Sequence, residues 1–164
     1  MMHRDAVFAL LEARGIRYEW REHPAVYHMG ELAEDALPHP EAIAKNLLLR
    51  DDKHAQYYLI CLKGGKRLDV KAFRRAHNTR PLCFAQGEEL ETVLGLKPGT
   101  VGPFGALNAG DRALTVVFDA AFFAPPGIIA VHPNDNTATL WLASTDLRDL
   151  LLAQGVPVSV EDFA

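Results

Sequence analysis

No stretch of this 164-residue sequence is apolar for long enough to cross a membrane. The longest aliphatic runs, such as Ile128 to Val131, are a few residues against the roughly 20 that a spanning helix needs. The apolar start around Val7 to Leu11 is short and bracketed by Arg4, Asp5, Glu12 and Arg14. No secretory signal is read there, and a cytoplasmic location without membrane attachment is expected. Cysteine is scarce: Cys61 and Cys83 stand far apart, with no CxxC or Cys/His ligand spacing. That leaves a disulfide framework or structural zinc site without support. Both fall in apolar, strand-like runs, where buried and inert thiols are expected rather than nucleophiles. The GxSxG elbow, the Walker loop, HExxH and the dinucleotide GxGxxG are missing as well, so the common hydrolase, NTPase and dehydrogenase sites have no foothold. A net positive charge is also absent: the chain carries -4, with a pI near 5.9, which argues against general, sequence-independent nucleic-acid binding.

What is present reads as one globular α+β domain over residues 1–164. Hydrophobic residues make up 49% and charged residues 23%, with no repeat, low-complexity tract or composition-shifted linker to divide the chain. The spacing predicts a helix over 5–14 stopped by Gly15, a short strand over 16–22, and a short helix over 30–37 ended by Pro38 and Pro40. A hairpin of central strands follows, 44–50 and 56–62, and then a turn at Gly64-Gly65. Asp69 caps a helix over 70–76, and a further helix over 88–94 closes on Gly95. Residues 96–105 hold five Gly or Pro and are expected to form a shaped loop outside regular structure. Strands over 114–118, 128–131 and 137–142 precede a last helix over 145–154, capped near Ser144.

Three features could carry chemistry. Lys45 and Asn46 are polar residues at the head of an apolar strand. A compact ammonium there suits a phosphate or a developing oxyanion, although a strand-end lysine can simply face water. The run Gly99-Thr100-Val101-Gly102-Pro103 lets backbone N–H groups approach an oxygen closely, or is just a tight turn. His132, in the polar bend His132-Pro133-Asn134-Asp135-Asn136-Thr137, could hydrogen-bond inside a pocket or be an ordinary turn histidine. Charge is also unevenly spread. Lys63, Lys66, Arg67, Lys71, Arg74, Arg75 and Arg80 face one acid, Asp69, for a local +6, and the rest of the chain carries -10. Such a block fits one localised anionic ligand, or a solvated helix face.

In order and spacing, these features resemble the YbaK/prolyl-tRNA editing-domain family. The resemblance runs through His23-Pro24-Ala25-Val26-Tyr27, Ala44-Lys45-Asn46-Leu47, the GxxxP loop from Gly99 to Pro103, and His132-Pro133 with Asn136-Thr137. The flanking Leu96-Lys97-Pro98 and Phe104-Gly105 are similar to the free-standing Ala-tRNA(Pro) deacylase branch. The longer glycine-rich loop with Met-Lys-Lys of the Cys-tRNA(Pro) branch is missing, and His28 stands where relatives often carry Thr.

The resemblance implies a mixed, strongly curved sheet flanked by helices and a trans-editing hydrolase that cleaves the ester of mischarged tRNA(Pro). Lys45, Gly99, Gly102 and Pro103 would form the catalytic part. Asn46, Thr100, Val101, His132 and Asn136 would bind the aminoacyl group, and Lys63, Lys66, Arg67, Lys71, Arg74, Arg75 and Arg80 the acceptor-stem phosphates. It implies no metal and no cofactor, with the acceptor end of tRNA(Pro) as partner and prolyl-tRNA synthetase as a possible second. A deacylase for Cys or Ser, and a non-catalytic module that binds tRNA or a synthetase, remain the competing readings.

Overall fold

The computed structural model describes residues 1–24 and 38–164. The expected helix over 30–37 and the residues Ala25, Val26, Tyr27 and His28 lie outside the described residues. Elsewhere the order is α1 (Arg4–Ala13), β1 (Tyr18–Glu22), β2 (Ala44–Asp51), β3 (Gln56–Lys63), α2 (Val70–His77), β4 (Leu82–Phe84), α3 (Glu88–Leu94), β5 (Ala113–Asp119), β6 (Ile128–Val131), β7 (Ala138–Ala143), α4 (Ser144–Ala153) and β8 (Val158–Glu161). Short 3-10 turns occupy Pro40–Ala42, Pro103–Asn108 and Ala120–Phe123.

The resemblance implied one sheet, whereas the strands divide between two. A five-stranded mixed sheet runs β4-β2-β3-β5-β8, and a three-stranded antiparallel sheet runs β1-β7-β6. The β2–β3 hairpin is central as expected, because both strands are apolar on both faces and must be covered twice. One face of the large sheet, through Ala44, Leu48, Leu59, Cys61, Val116 and Phe118, joins Ile129, Val131, Leu140 and Leu142 of the small sheet in the main core. The opposite face, through Leu49, Ile60, Leu62 and Val117, is closed by Phe73 of α2. The outer face of the small sheet carries Ala130 and Trp141 against Ala42.

Three expectations are corrected and two strands are added. Ser144 does not cap α4: it is the first helical residue, and its buried hydroxyl donates to Phe122 O at 2.6 Å. Cys61 is buried, and loss of hydration pushes its thiol well up, but Cys83 is exposed because β4 is an edge strand with one side unpaired. Residues 103–105 belong to a regular 3-10 turn, which Pro103 opens with its preset φ. The short edge strands β4 and β8 were not predicted, since three or four residues carry too little alternation to be read.

Candidate active site

Adjacent strand residues point to opposite faces, so Lys45 and Asn46 diverge. Asn46 follows Ala44 and Leu48 toward the main core, and Lys45 follows Leu47 and Leu49 to the other face. Just before β2, Ile43 forms an isolated parallel bridge with Ala130 of β6. Two residues further along each chain come Lys45 and His132, which the period of two keeps on the face of Ile43 and Ala130. Beyond that bridge β2 and β6 part, and the Gly/Pro loop enters the gap. A Cβ built on Gly102 would lie 3.7 Å from His132 O and 4.0 Å from Asn46 Nδ2.

The three glycines of the loop have three different reasons. Gly99 has φ 89°, a conformation that side chains resist. Gly105 has no room, since its Cβ would come within 2.7 Å of Leu96 Cδ1 and 3.2 Å of Leu94 Cβ. Gly102 has φ −167° and ψ 170°, which any residue adopts, and its Cβ would make only ordinary contacts. Neither backbone nor packing explains it. A Cβ there would instead fill the space between Asn46 and the end of β6. Asn46 Nδ2 lies 3.4 Å from Ala44 O, and its Oδ1 is buried with no hydrogen-bond partner among the described residues.

The loop's own hydrogen bonds use Thr100 N–H, donated to Lys97 O at 3.0 Å, and Gly105 N–H, donated to Gly102 O at 2.9 Å. The Thr100 hydroxyl also turns back to Lys97 O at 2.6 Å, and the Val101 side chain packs on the main core. These two side chains therefore help shape the loop.

His132 Nδ1 donates to Ala138 O at 2.8 Å, which places the ring lone pair on Nε2. Loss of hydration pulls its pKa below the ordinary histidine value, and nearby His23 adds to the shift, against the opposing pull of the Ala138 carbonyl and Asp135. The two imidazoles stand 6.0 Å apart. His23 bonds Pro24 O through Nδ1 at 2.9 Å and the Thr139 hydroxyl through Nε2 at 2.8 Å. His23 and Thr139 were not assigned to the site from the sequence. His23 opens the His-Pro motif and could have been flagged, whereas nothing local marks Thr139. Asn136 lies half-buried in the turn after His132.

A family model for the aminoacyl-tRNA editing domain matches residues 23–150, a stretch that opens at His23 and contains Lys45, Gly102 and His132. The chain belongs to the aminoacyl-tRNA editing-domain family. Prolyl-tRNA editing protein ProX of Acetoanaerobium sticklandii is 36% identical over 152 residues, which span 93% of this chain and 92% of ProX. Prolyl-tRNA synthetase associated domain-containing protein 1 of Danio rerio is 28% identical over 84% of this chain and 75% of its own length. Among solved structures, a hypothetical protein aligns with a TM-score of 0.72 at 21% identity, covering 96% of this chain and 97% of that one. A candidate trans-editing enzyme for prolyl-tRNA synthetase aligns with a TM-score of 0.70 at 24% identity, over 96% and 93%. At these identities both likenesses show a shared fold.

The cations of the basic block of this editing domain differ in their surroundings. The Lys66 ammonium is taken by the buried Asp119 carboxylate at 2.8 and 3.0 Å, and Lys63 Nζ reaches Ala121 O at 3.5 Å. Arg80 grips Asp52 with two bonds of 2.7 and 3.0 Å, and that hydrogen-bonded guanidinium holds the Asp52 carboxyl below its usual range. Arg74 is half-buried, with Nε unpartnered among the described residues. Arg67, Lys71 and Arg75 remain exposed, and no carboxylate pairs with them among the described residues. Lys71 and Arg75, one turn apart on α2, share a helix face.

Proposed function

We propose that this protein is a trans-editing hydrolase that cleaves the ester of mischarged tRNA(Pro), with Ala-tRNA(Pro) as substrate. The whole chain 1–164 serves as one editing domain in the cytoplasm, downstream of a prolyl-tRNA synthetase whose errors supply the substrate. Family membership and the likeness to ProX support the activity class. The observation that carries the reading to particular residues is Gly102: a glycine that the fold does not need, beside a buried Asn46 oxygen without a partner, where β2 and β6 part.

An aminoacyl ester is already activated, so positioning and a preorganised electrostatic environment supply much of the rate without a nucleophilic triad. The Lys45 ammonium binds the terminal phosphate or the oxyanion that develops on the ester. The loop's own bonds do not use the N–H groups of Val101 and Gly102, and in this reading the GxxxP loop presents them to the ester carbonyl. Asn46 Oδ1 accepts from the substrate's amino group, which satisfies a buried acceptor that otherwise costs about 1–3 kcal/mol. Neutral His132 borders the amino-acid pocket, and the attacking water is assisted by the 2′-hydroxyl of the tRNA. Arg67, Lys71 and Arg75 form the ridge that meets the acceptor-stem phosphates.

A deacylation panel tests the reading: tRNA(Pro) charged with Ala, Ser, Gly, Cys or Pro, each incubated with the protein. A methyl-sized pocket excludes the proline ring sterically but loses only about 10 to 200-fold on a missing methyl. Ala is expected fastest, Ser and Gly slower, and Pro negligible. Faster clearance of Cys would replace the alanine assignment. Binding of the tRNA without hydrolysis of any ester would replace the enzyme by a recognition module.

A further inference from the structure

Asp119 ends β5 and is 1% exposed, and each donor around it comes from a different piece of chain. Its carboxylate accepts Lys63 N–H from the end of β3 at 3.1 Å and Ala121 N–H from the following 3-10 turn at 3.1 Å. It also accepts the Lys66 ammonium, at 2.8 and 3.0 Å. The Lys66 carbonyl, on the other side of the same residue, receives Lys45 Nζ at 3.4 Å. A chain of contacts therefore runs from the end of β5 through the β3–α2 turn to the candidate site.

A buried ion pair is a poor source of net stability, because desolvation offsets most of its attraction, but it does fix geometry. Here it fixes the backbone of Lys66 opposite the head of β2. A carbonyl can orient the Lys45 ammonium without cancelling its charge, as a carboxylate would. Asp119 also absorbs the charge of Lys66, so a second free ammonium does not compete for the same anion.

We infer that Asp119 and Lys66 are positioning residues for Lys45: the pair anchors the 64–66 turn so that the Lys66 carbonyl holds the Lys45 ammonium at the scissile ester. This inference rests on the editing reading above and adds to it two residues that act without touching the substrate. Lys66 is thereby moved from a phosphate contact to a structural arm of the site.

The test measures single-turnover hydrolysis of Ala-tRNA(Pro) by folded Lys66→Met, Lys66→Arg and Asp119→Asn proteins, with Lys66→Met also made in a Lys45→Ala background. Lys66→Met is expected to lower the maximal rate about tenfold with half-saturation within about twofold, the pattern of a group that serves the transition state. Lys66→Arg, which keeps the ion pair, should restore most of the rate. With Lys45 already removed, Lys66→Met should change the residual rate by less than about twofold, since residues that act through one another are not additive. An equal loss in both backgrounds, or an unchanged rate in Lys66→Met, overturns the inference. If Asp119→Asn does not fold, the Lys66 variants decide alone. Lys45→Ala at wild-type rate would instead remove the editing site itself, and the positioning role with it.

Discussion

Two stretches of this chain stand out by composition, the Gly/Pro loop 96–105 and the basic block 63–80, and the fold uses them in opposite ways. The loop is kept together: its GxxxP run enters the gap between β2 and β6 and sets Gly102 beside Asn46 and the His132 carbonyl. The block is taken apart: Lys66 goes to Asp119, Arg80 to Asp52, and Arg67, Lys71 and Arg75 stay exposed with no carboxylate paired to them among the described residues. Backbone character is a local property and survives folding, because glycine and proline act on their own φ and ψ. Charge is not local, because whether a lysine is free depends on a carboxylate 53 residues away in sequence.

The largest effect should come from breaking the contrast within the loop. Gly102→Ala should keep the melting temperature within the shift of about 0.5 kcal/mol typical of a tolerated site, yet cut deacylation by more than about tenfold by filling the ligand's space. Gly105→Ala should do the reverse, destabilising by roughly 1–3 kcal/mol through overpacking against Leu94 and Leu96 while the remaining folded protein stays active. Thermal melts beside initial rates check both. If Gly102→Ala is fully active, the site does not lie there.

The block offers the next effect. Replacing Arg67, Lys71 and Arg75 by Glu should weaken tRNA binding and reduce the log–log salt slope by about 0.7–0.9 for each lost contact. Arg80→Gln, which removes a cation already paired to Asp52, should leave the slope nearly unchanged. Titrations over a range of salt concentrations read the slopes, and equal slopes for the two variants would restore the undivided patch.

The smallest effect is a pH dependence. Burial lowers the pKa of His132 in the folded state, so between its folded value and the ordinary value of 6.5 the unfolded chain binds more protons. The contribution of neutral His132 to stability is therefore fully present above that ordinary value and is lost as pH falls toward the folded value. His132→Gln should flatten the acid limb of melting temperature against pH relative to wild type. An identical acid limb would mean that His132 is not held neutral.

The candidate positions stand out in the sequence because each is marked by residue type: lysine at the head of an apolar strand, glycines among prolines, a histidine between two apolar strands. Helices α1, α2 and α3 and the β2–β3 hairpin were legible from period and caps, with Asp69 accepting Ala72 N–H as its position suggested. Thr139 and Asp119 were not, since a threonine inside a strand and an aspartate at the end of one look ordinary until the fold brings His23 to the first and Lys66 to the second. That Thr100 turns its hydroxyl back to Lys97 and Val101 packs on the main core is equally invisible in the sequence, because both contacts depend on the shape the loop takes.

The sequence by itself determined the family, the α+β class and the central hairpin, and it singled out Lys45, Asn46, Gly102 and His132 as candidates, because local pattern and residue chemistry are written in order along the chain. Only the tertiary structure decided that Lys45 and Asn46 point to opposite faces of one strand, that the strands form two sheets, and which cations stay free. Those outcomes depend on strand register and on charges that meet across long separations in sequence, and neither is encoded at any single position.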